Sequence, residues 1–203
     1  GQAMAIYYGL LTEEEKPKAL KLLIKYIDYE NGHFYTGVLG GRVLYRVLAE
    51  NGYVDLAYNM IVRPDYPSYG NWIARGATTL WEVFQPEGSD RIGSLNHHFW
   101  GDISSWFTQA LSGIRMAPHG EPNEVDFRPS FISRLTHAEA FHIAPAGRIA
   151  SAWERDEDDV IELTVELQST MHGVIRLESG YVFEDGLAYK AAESGTYRIH
   201  SIE

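Results

Sequence analysis

Apolar residues recur at helical spacing along the first half of the chain and at strand spacing along the second. Ala3, Ile6, Tyr7 and Leu10 share one helical face, and Leu20, Leu23, Ile24 and Ile27 share a second. Val43, Leu44, Val47 and Leu48 make a third stripe; Leu56, Ala57, Met60 and Ile61 make a fourth. A final one runs through Ile103, Trp106, Phe107, Ala110, Leu111 and Ile114, with Gly113 closing it. The punctuation agrees with these helices. Thr12 to Glu15 has capping-box spacing, while Pro17 suits a first helical turn and puts the true start nearer itself. Glu30-Asn31-Gly32 ends the second stripe, Asn51-Gly52 reads as a left-handed C-cap pair ending the third, and Pro64 stops the fourth.

After Ile114 the texture changes. Met116 to Pro122 reads as a linker or an irregular crossing. Beyond it Ile161, Leu163, Val165 and Leu167 alternate with Glu162, Thr164 and Glu166, the pattern of a half-buried strand. Val174 to Leu177, Tyr181 to Phe183 and Tyr197 to Ile199 are further strands between glycine turns, and the acidic run Glu154 to Asp159 is a hairpin loop. Helices first and strands afterwards predict a mainly α part over residues 1–115. An antiparallel β-sandwich of jelly-roll type follows over 116–203. The long connections Asn31 to Tyr35, Asp65 to Trp72 and Pro86 to His97 mix aromatic and polar residues, as functional loops do and as ordinary punctuation also can. The chain enters its first helical pattern at once, with no polar lead-in, so we expect it to be a cut through a longer protein.

Composition removes several function classes. A net charge of -11 disfavours nucleic acid and anionic membrane as partners, and no run is apolar enough to suggest a membrane span. With no cysteine there is no disulfide framework and no thiolate chemistry, which suits a cytoplasmic home without excluding an extracellular one. The eight histidines do not fall at metal-ligand spacings, and neighbours such as His97 and His98 point apart on a helix or strand. The acidic run matches no calcium loop, and Gly37 to Gly41 lacks the strand-and-helix context of a phosphate cradle. No metal and no cofactor is expected.

The stretch richest in chemistry is Gly76 to Gly101, GATTLWEVFQPEGSDRIGSLNHHFWG. Glu82 follows Trp81, and Ser94-Leu95-Asn96-His97-His98 gathers hydroxyl, amide and imidazole groups ahead of Phe99 and Trp100. An acid beside an indole, with planar polar groups nearby, suits a sugar, whose apolar face stacks on rings while its hydroxyls take hydrogen bonds. The same residues also fit a helix bearing one acid, followed by a polar turn with a capping asparagine.

Gly76 to Glu82, Ser94 to His97, Gly101 and Trp106 together resemble the bacterial α-L-rhamnosidases of glycoside hydrolase family 78. Gln2 to Ala5, Thr36-Gly37 with Leu39-Gly40, Tyr66 to Gly70, and Gly113 to Arg115 follow that family's pattern in order. Gly147 to Ser151 with Trp153 is similar to the start of its C-terminal β-domain. The pattern departs at Tyr69, where the family carries tryptophan, another ring able to stack. The resemblance implies the later helices of an (α/α)6 barrel followed by a β-domain that serves as scaffold. It also implies hydrolysis of terminal α-L-rhamnosides with inversion at the anomeric carbon. By carry-over Glu82 is the general base and His97 a sugar-binding neighbour; Trp81 and Asn96 shape the pocket, and Tyr66 and Tyr69 line it.

Inverting hydrolysis needs a second carboxyl, and nothing in the chain resembles the segment that supplies the family's acid. The isolated chain is therefore expected to be inactive, and to pair with the missing N-terminal half or with a second copy. Two other readings stay open: a non-catalytic carbohydrate-binding or structural module, and an inverting barrel enzyme for another sugar.

Overall fold

The computed structural model describes residues 1–34, 36–90 and 93–202. Tyr35, at the end of one expected loop, Arg91 and Ile92, inside another, and Glu203 lie outside the described residues. The chain divides into two compact units, Gly1–Ser104 and Ser105–Glu203.

The first unit is helical: α1 (Gln2–Tyr7), α2 (Lys16–Tyr29), α3 (Val38–Glu50), α4 (Val54–Val62) and α5 (Tyr69–Ala74). The α1 stripe is shorter than expected. Ala3 and Ile6 are buried, but Gly9 turns the backbone to φ 63 and leaves Tyr7 and Leu10 exposed. Both start signals before α2 are used. Thr12 and Glu15 exchange capping-box hydrogen bonds across a turn, and the helix proper begins with Pro17 in its first turn. Val43, Leu44, Val47 and Leu48 are all buried on α3. The C-cap after it is not a left-handed pair: Asn51 has φ -116 and donates from Nδ2 to the Val47 carbonyl (2.7 Å), and Gly52 alone is left-handed.

α5 was not expected, because Pro64, Pro67 and Gly70 read as loop. Ser68, fully buried, starts it: its Oγ accepts from the Asn71 N–H (2.9 Å), and its hydroxyl lies 2.6 Å from the Arg63 carbonyl that it donates to. After α5 the chain runs irregularly to α6 (Asp102–Trp106), which begins under an Arg46–Asp102 ion pair (2.9 Å), contains the division between the units, and continues as a π-helical turn, Phe107–Leu111. Ile114 is not the end of that helix; it opens a strand.

The second unit holds two sheets. One has the order β1 (Ile114–Met116), β2 (Val125–Phe127), β6 (Val174–Arg176), β8 (Tyr189–Ala191). The other has the order β3 (His137–Ala144), β4 (Gly147–Arg155), β5 (Ile161–Glu166), β9 (Gly195–Ser201), β7 (Tyr181–Phe183). Pairing is antiparallel except between β2 and β6, where Phe127 faces Ile175 in a parallel register. Met116 is therefore strand and not linker: it pairs with Val125 across the turn holding Pro118 and Pro122. Strand β5 alternates as expected, with Ile161, Leu163 and Val165 buried beside Trp153, Phe127 and Ile199. The acidic run makes the β4–β5 turn, where Asp156 Oδ1 accepts from the Asp158 and Val160 N–H groups (2.9 Å each). Among the described residues no helix is long and apolar enough to cross a membrane, and no group of acidic or histidine side chains is placed to hold a metal ion.

Candidate active site

Glu82 does not lie on a helix. Leu80 to Glu82 run beside Ser94 to His97 as an irregular ribbon, in which the His97 N–H donates to the Leu80 carbonyl and the Glu82 N–H to the Ser94 carbonyl, both at 2.8 Å. The Thr79 hydroxyl closes the same ribbon on the Leu95 carbonyl. Ser94 also holds the side chain, since its N–H donates to Glu82 Oε2 at 2.8 Å, a charge-assisted bond that fixes the carboxylate's direction.

The Glu82 main chain is anchored separately. Trp100 donates from Nε1 to the Glu82 carbonyl (2.9 Å), and its buried ring lies against α3. That approach is possible because position 41 is glycine: a Cβ there would stand 2.3 Å from the indole Cζ3. The Gly40-Gly41 pair thus marks close packing rather than a phosphate cradle.

Phe84 gathers the surrounding rings. It stacks on Trp72 (4.0 Å between centroids, 8° between planes) and meets Phe34, Tyr69 and Trp100 edge-on at 5.0, 5.3 and 4.8 Å. Beside this cluster opens a cleft of about 650 Å³ whose walls include Phe34, Thr36, Tyr66, Phe84, Phe99 and Trp100, with Glu82 on its lining.

Of the six residues singled out from sequence, Glu82 and Tyr66 line this cleft; Trp81, Tyr69, Asn96 and His97 do not border it. Tyr69 is 8% exposed, donates its hydroxyl to the Trp100 carbonyl (3.1 Å), and has its pKa raised by burial and then by Asp102. It therefore steadies Trp100 from within the core. Trp81 is half-buried, tilted on Trp72 with the Arg75 guanidinium 5.1 Å from its ring centroid. Asn96 is exposed and its main chain exchanges hydrogen bonds with the Ser94 hydroxyl (3.0 and 3.2 Å).

His97 is half-buried, and its Nδ1 accepts from the Phe99 N–H (3.2 Å), so the neutral ring carries its proton on Nε2. Contrary to the strand or helix expectation, the His97 and His98 rings do not point apart. They stack at 5.0 Å with 11° between planes, because the segment is a turn. Phe34 and Phe84 are site residues that sequence reasoning did not name, although Phe34 falls in the Asn31 to Tyr35 loop and Phe84 in the Gly76 to Gly101 stretch. A further, indirect signal is Gly41, whose missing Cβ leaves room for Trp100.

The family model for the bacterial α-L-rhamnosidase six-hairpin glycosidase domain matches residues 1–111, more than half of the 203. The chain belongs to that family. An α-L-rhamnosidase of Formosa agariphila is 34% identical over 174 residues, 82% of this chain and 19% of that protein. The solved α-L-rhamnosidase from Dictyoglumus thermophilum is 25% identical with a TM-score of 0.83, covering 98% of this chain and 24% of that one. The structure of the Streptomyces avermitilis α-L-rhamnosidase complexed with L-rhamnose, at 24% identity, shares the fold with a TM-score of 0.84 over 98% of this chain and 21% of its own. This α-L-rhamnosidase-family chain thus spans about a fifth of the length of the relatives it matches.

Proposed function

We propose that this chain is the part of an inverting α-L-rhamnosidase that supplies the general base, Glu82, to the hydrolysis of terminal α-L-rhamnosides. The observation that carries the reading is a carboxylate oriented by the Ser94 N–H on the lining of an aromatic-walled cleft. In the step proposed, Glu82 takes a proton from water as the water oxygen bonds to the anomeric carbon. The glycosidic C–O bond breaks on the opposite face, and a second carboxyl protonates the departing oxygen. Exposed rings such as Tyr66 and Phe99 would stack on the sugar. His97 lies off this lining but against the Phe99 ring, 3.8 Å between centroids, and with its proton on Nε2 would donate to a hydroxyl of a sugar that extends past that ring.

Among the described residues lining the cleft Glu82 is the only carboxylate. That supports taking the acid from elsewhere in the whole protein. The six-hairpin match over 1–111 supports reading residues 1–115 as later helices of an (α/α)6 barrel and 116–203 as the β-domain after it, with the helical part ending before strand β1 at Ile114. Glu82→Gln in the whole protein keeps the shape but cannot accept the water's proton, so turnover of a nitrophenyl α-L-rhamnoside should fall by at least ~10²-fold. Near-normal turnover in a folded Glu82→Gln enzyme would sink the assignment.

A further inference from the structure

Two loops contribute to the lining of the cleft. The connection after α2 contributes Phe34 and Thr36, and the connection after α4 contributes Tyr66 and Pro67. Between the bases of these loops sits one guanidinium. Arg63 donates from Nε to Asp65 Oδ1 (2.6 Å) and from Nη2 to Asp65 Oδ2 (2.8 Å), a two-pronged grip on the residue preceding Tyr66. Its remaining nitrogen, Nη1, reaches across to the Asn31 carbonyl (2.5 Å) in the turn that leads to Phe34.

That turn is shaped to receive the guanidinium. Asn31 and Gly32 are both left-handed, φ 55 and 76, and a Cβ on Gly32 would meet Arg63 Nη1 at 2.8 Å. His33 lies beside the tie: its Nδ1 donates to the Glu30 carbonyl (3.1 Å), and its Nε2 stands 3.2 Å from Asp65 Oδ2 without being aligned as a hydrogen bond. On the far side of Tyr66, the buried Ser68 hydroxyl shares its proton between the Arg63 and Asp65 carbonyls (2.6 and 2.9 Å), which closes the Tyr66 loop on itself.

We propose that Arg63 is a positioning residue for the cleft: by joining Asp65 to the Asn31–Gly32 turn it sets where Phe34 and Thr36 stand relative to Tyr66 and Pro67 on the lining. The consequence for catalysis rests on reading the cleft as the glycoside site. The Arg63 hydrogen bonds hold the Asp65 carboxyl down to about 2, so the tie remains charged across any ordinary assay range. Walls that grip the sugar alike before and during reaction act on KM more than on kcat.

The test uses the whole protein with Arg63→Ala and Arg63→Lys, read by steady-state kinetics on a nitrophenyl α-L-rhamnoside and by amide hydrogen exchange. Arg63→Ala should raise KM about tenfold with kcat changed much less, the size expected for losing a charge-assisted tie. Arg63→Lys, which can reach one partner but not both, should rescue only in part. Exchange should quicken at the Gly32 and His33 amides, across the gap from the mutation, where the N–H groups donate to the Ile27 and Glu30 carbonyls. A folded Arg63→Ala or Arg63→Lys enzyme with unchanged KM, or unchanged exchange at Gly32 and His33, overturns the proposal. A wild-type enzyme with no rhamnoside turnover would instead overturn the reading of the site, and the exchange result would still decide the tie.

Discussion

Besides the ribbon bond from its own N–H, Glu82 is held at two points by groups of different kinds, and each point controls a different property. The Ser94 N–H fixes the carboxylate, and the Trp100 indole fixes the peptide behind it. Mutation of Ser94 to another ordinary residue keeps its N–H, so the carboxylate's main orienting bond cannot be removed by side-chain truncation. His97 is more easily separated from the fold. Its ring is half-buried in a turn, and its Nδ1 bond is to a local amide only two residues on. If Nε2–H meets a sugar hydroxyl that is bound more tightly in the transition state, His97→Ala in the whole enzyme should lower kcat roughly 10- to 100-fold. The melting temperature should move little. A thermal melt beside the kinetics checks this, and a variant that unfolds would place His97 in the core instead.

At the scale of elements, the decisive contact is helix α3 against Trp100. Glycine inside a helix costs about 1 kcal/mol relative to alanine, so propensity alone favours Gly41→Ala. Packing opposes it, because the new Cβ would stand 2.3 Å from a ring confined by Phe34 and Phe84. Overpacking of that kind costs typically 1–3 kcal/mol, enough to outweigh the propensity gain. Gly41→Ala should therefore lower stability in denaturant unfolding and, by shifting Trp100, lower turnover as well; a stabilised, fully active variant would mean the ring has room to yield.

The same contact shows what sequence could and could not reveal. Helices with one apolar stripe and a clear stop were legible, as was β5, because burial on one face leaves a periodic trace. Helix α5 was hidden by the prolines and glycine around it, although Ser68 is an ordinary cap signal. Strand β3 left no readable alternation because its inward face carries the small Ala138, Ala140 and Ala144 while Phe141 and Ile143 stand exposed on the other, and β1, β2 and β8 are three residues each, too short to show a period. At the site, Glu82 and the rings near it were readable as chemistry. The burial of Tyr69 and the central place of Phe84 were not, since both follow from tertiary packing.

On the proposed reading, the chain as a whole is a folded polypeptide with an oriented base and, among the described residues lining its cleft, no partner acid. Purified alone it should give no rhamnosidase turnover, because inversion requires two carboxyls roughly 6.5–9.5 Å apart. Its helical unit also exposes Leu22, Leu39 and Ile73 at 40, 66 and 73%, apolar surface that a partner would cover. Sizing should accordingly find a dimer, or a complex when the rest of the protein is supplied. A monomer with steady turnover would show that both carboxyls lie within these residues.

The ring cluster beside Glu82 also makes the molecule its own optical probe. Of the five tryptophans, Trp72, Trp106 and Trp153 are buried at 2, 2 and 1% exposure and Trp81 is half-buried off the cleft lining, while Trp100 borders the cleft. Emission from the others gives the background, and Trp100, in contact with Phe84 and bonded to the Glu82 carbonyl, is the tryptophan a ligand would touch directly, with Trp72 one ring behind it on Phe84. Titrating the whole protein with L-rhamnose should therefore shift or quench its tryptophan fluorescence, and Trp100→Phe should abolish most of that signal. The residue that anchors the base then reports, without any label, when the cleft is filled.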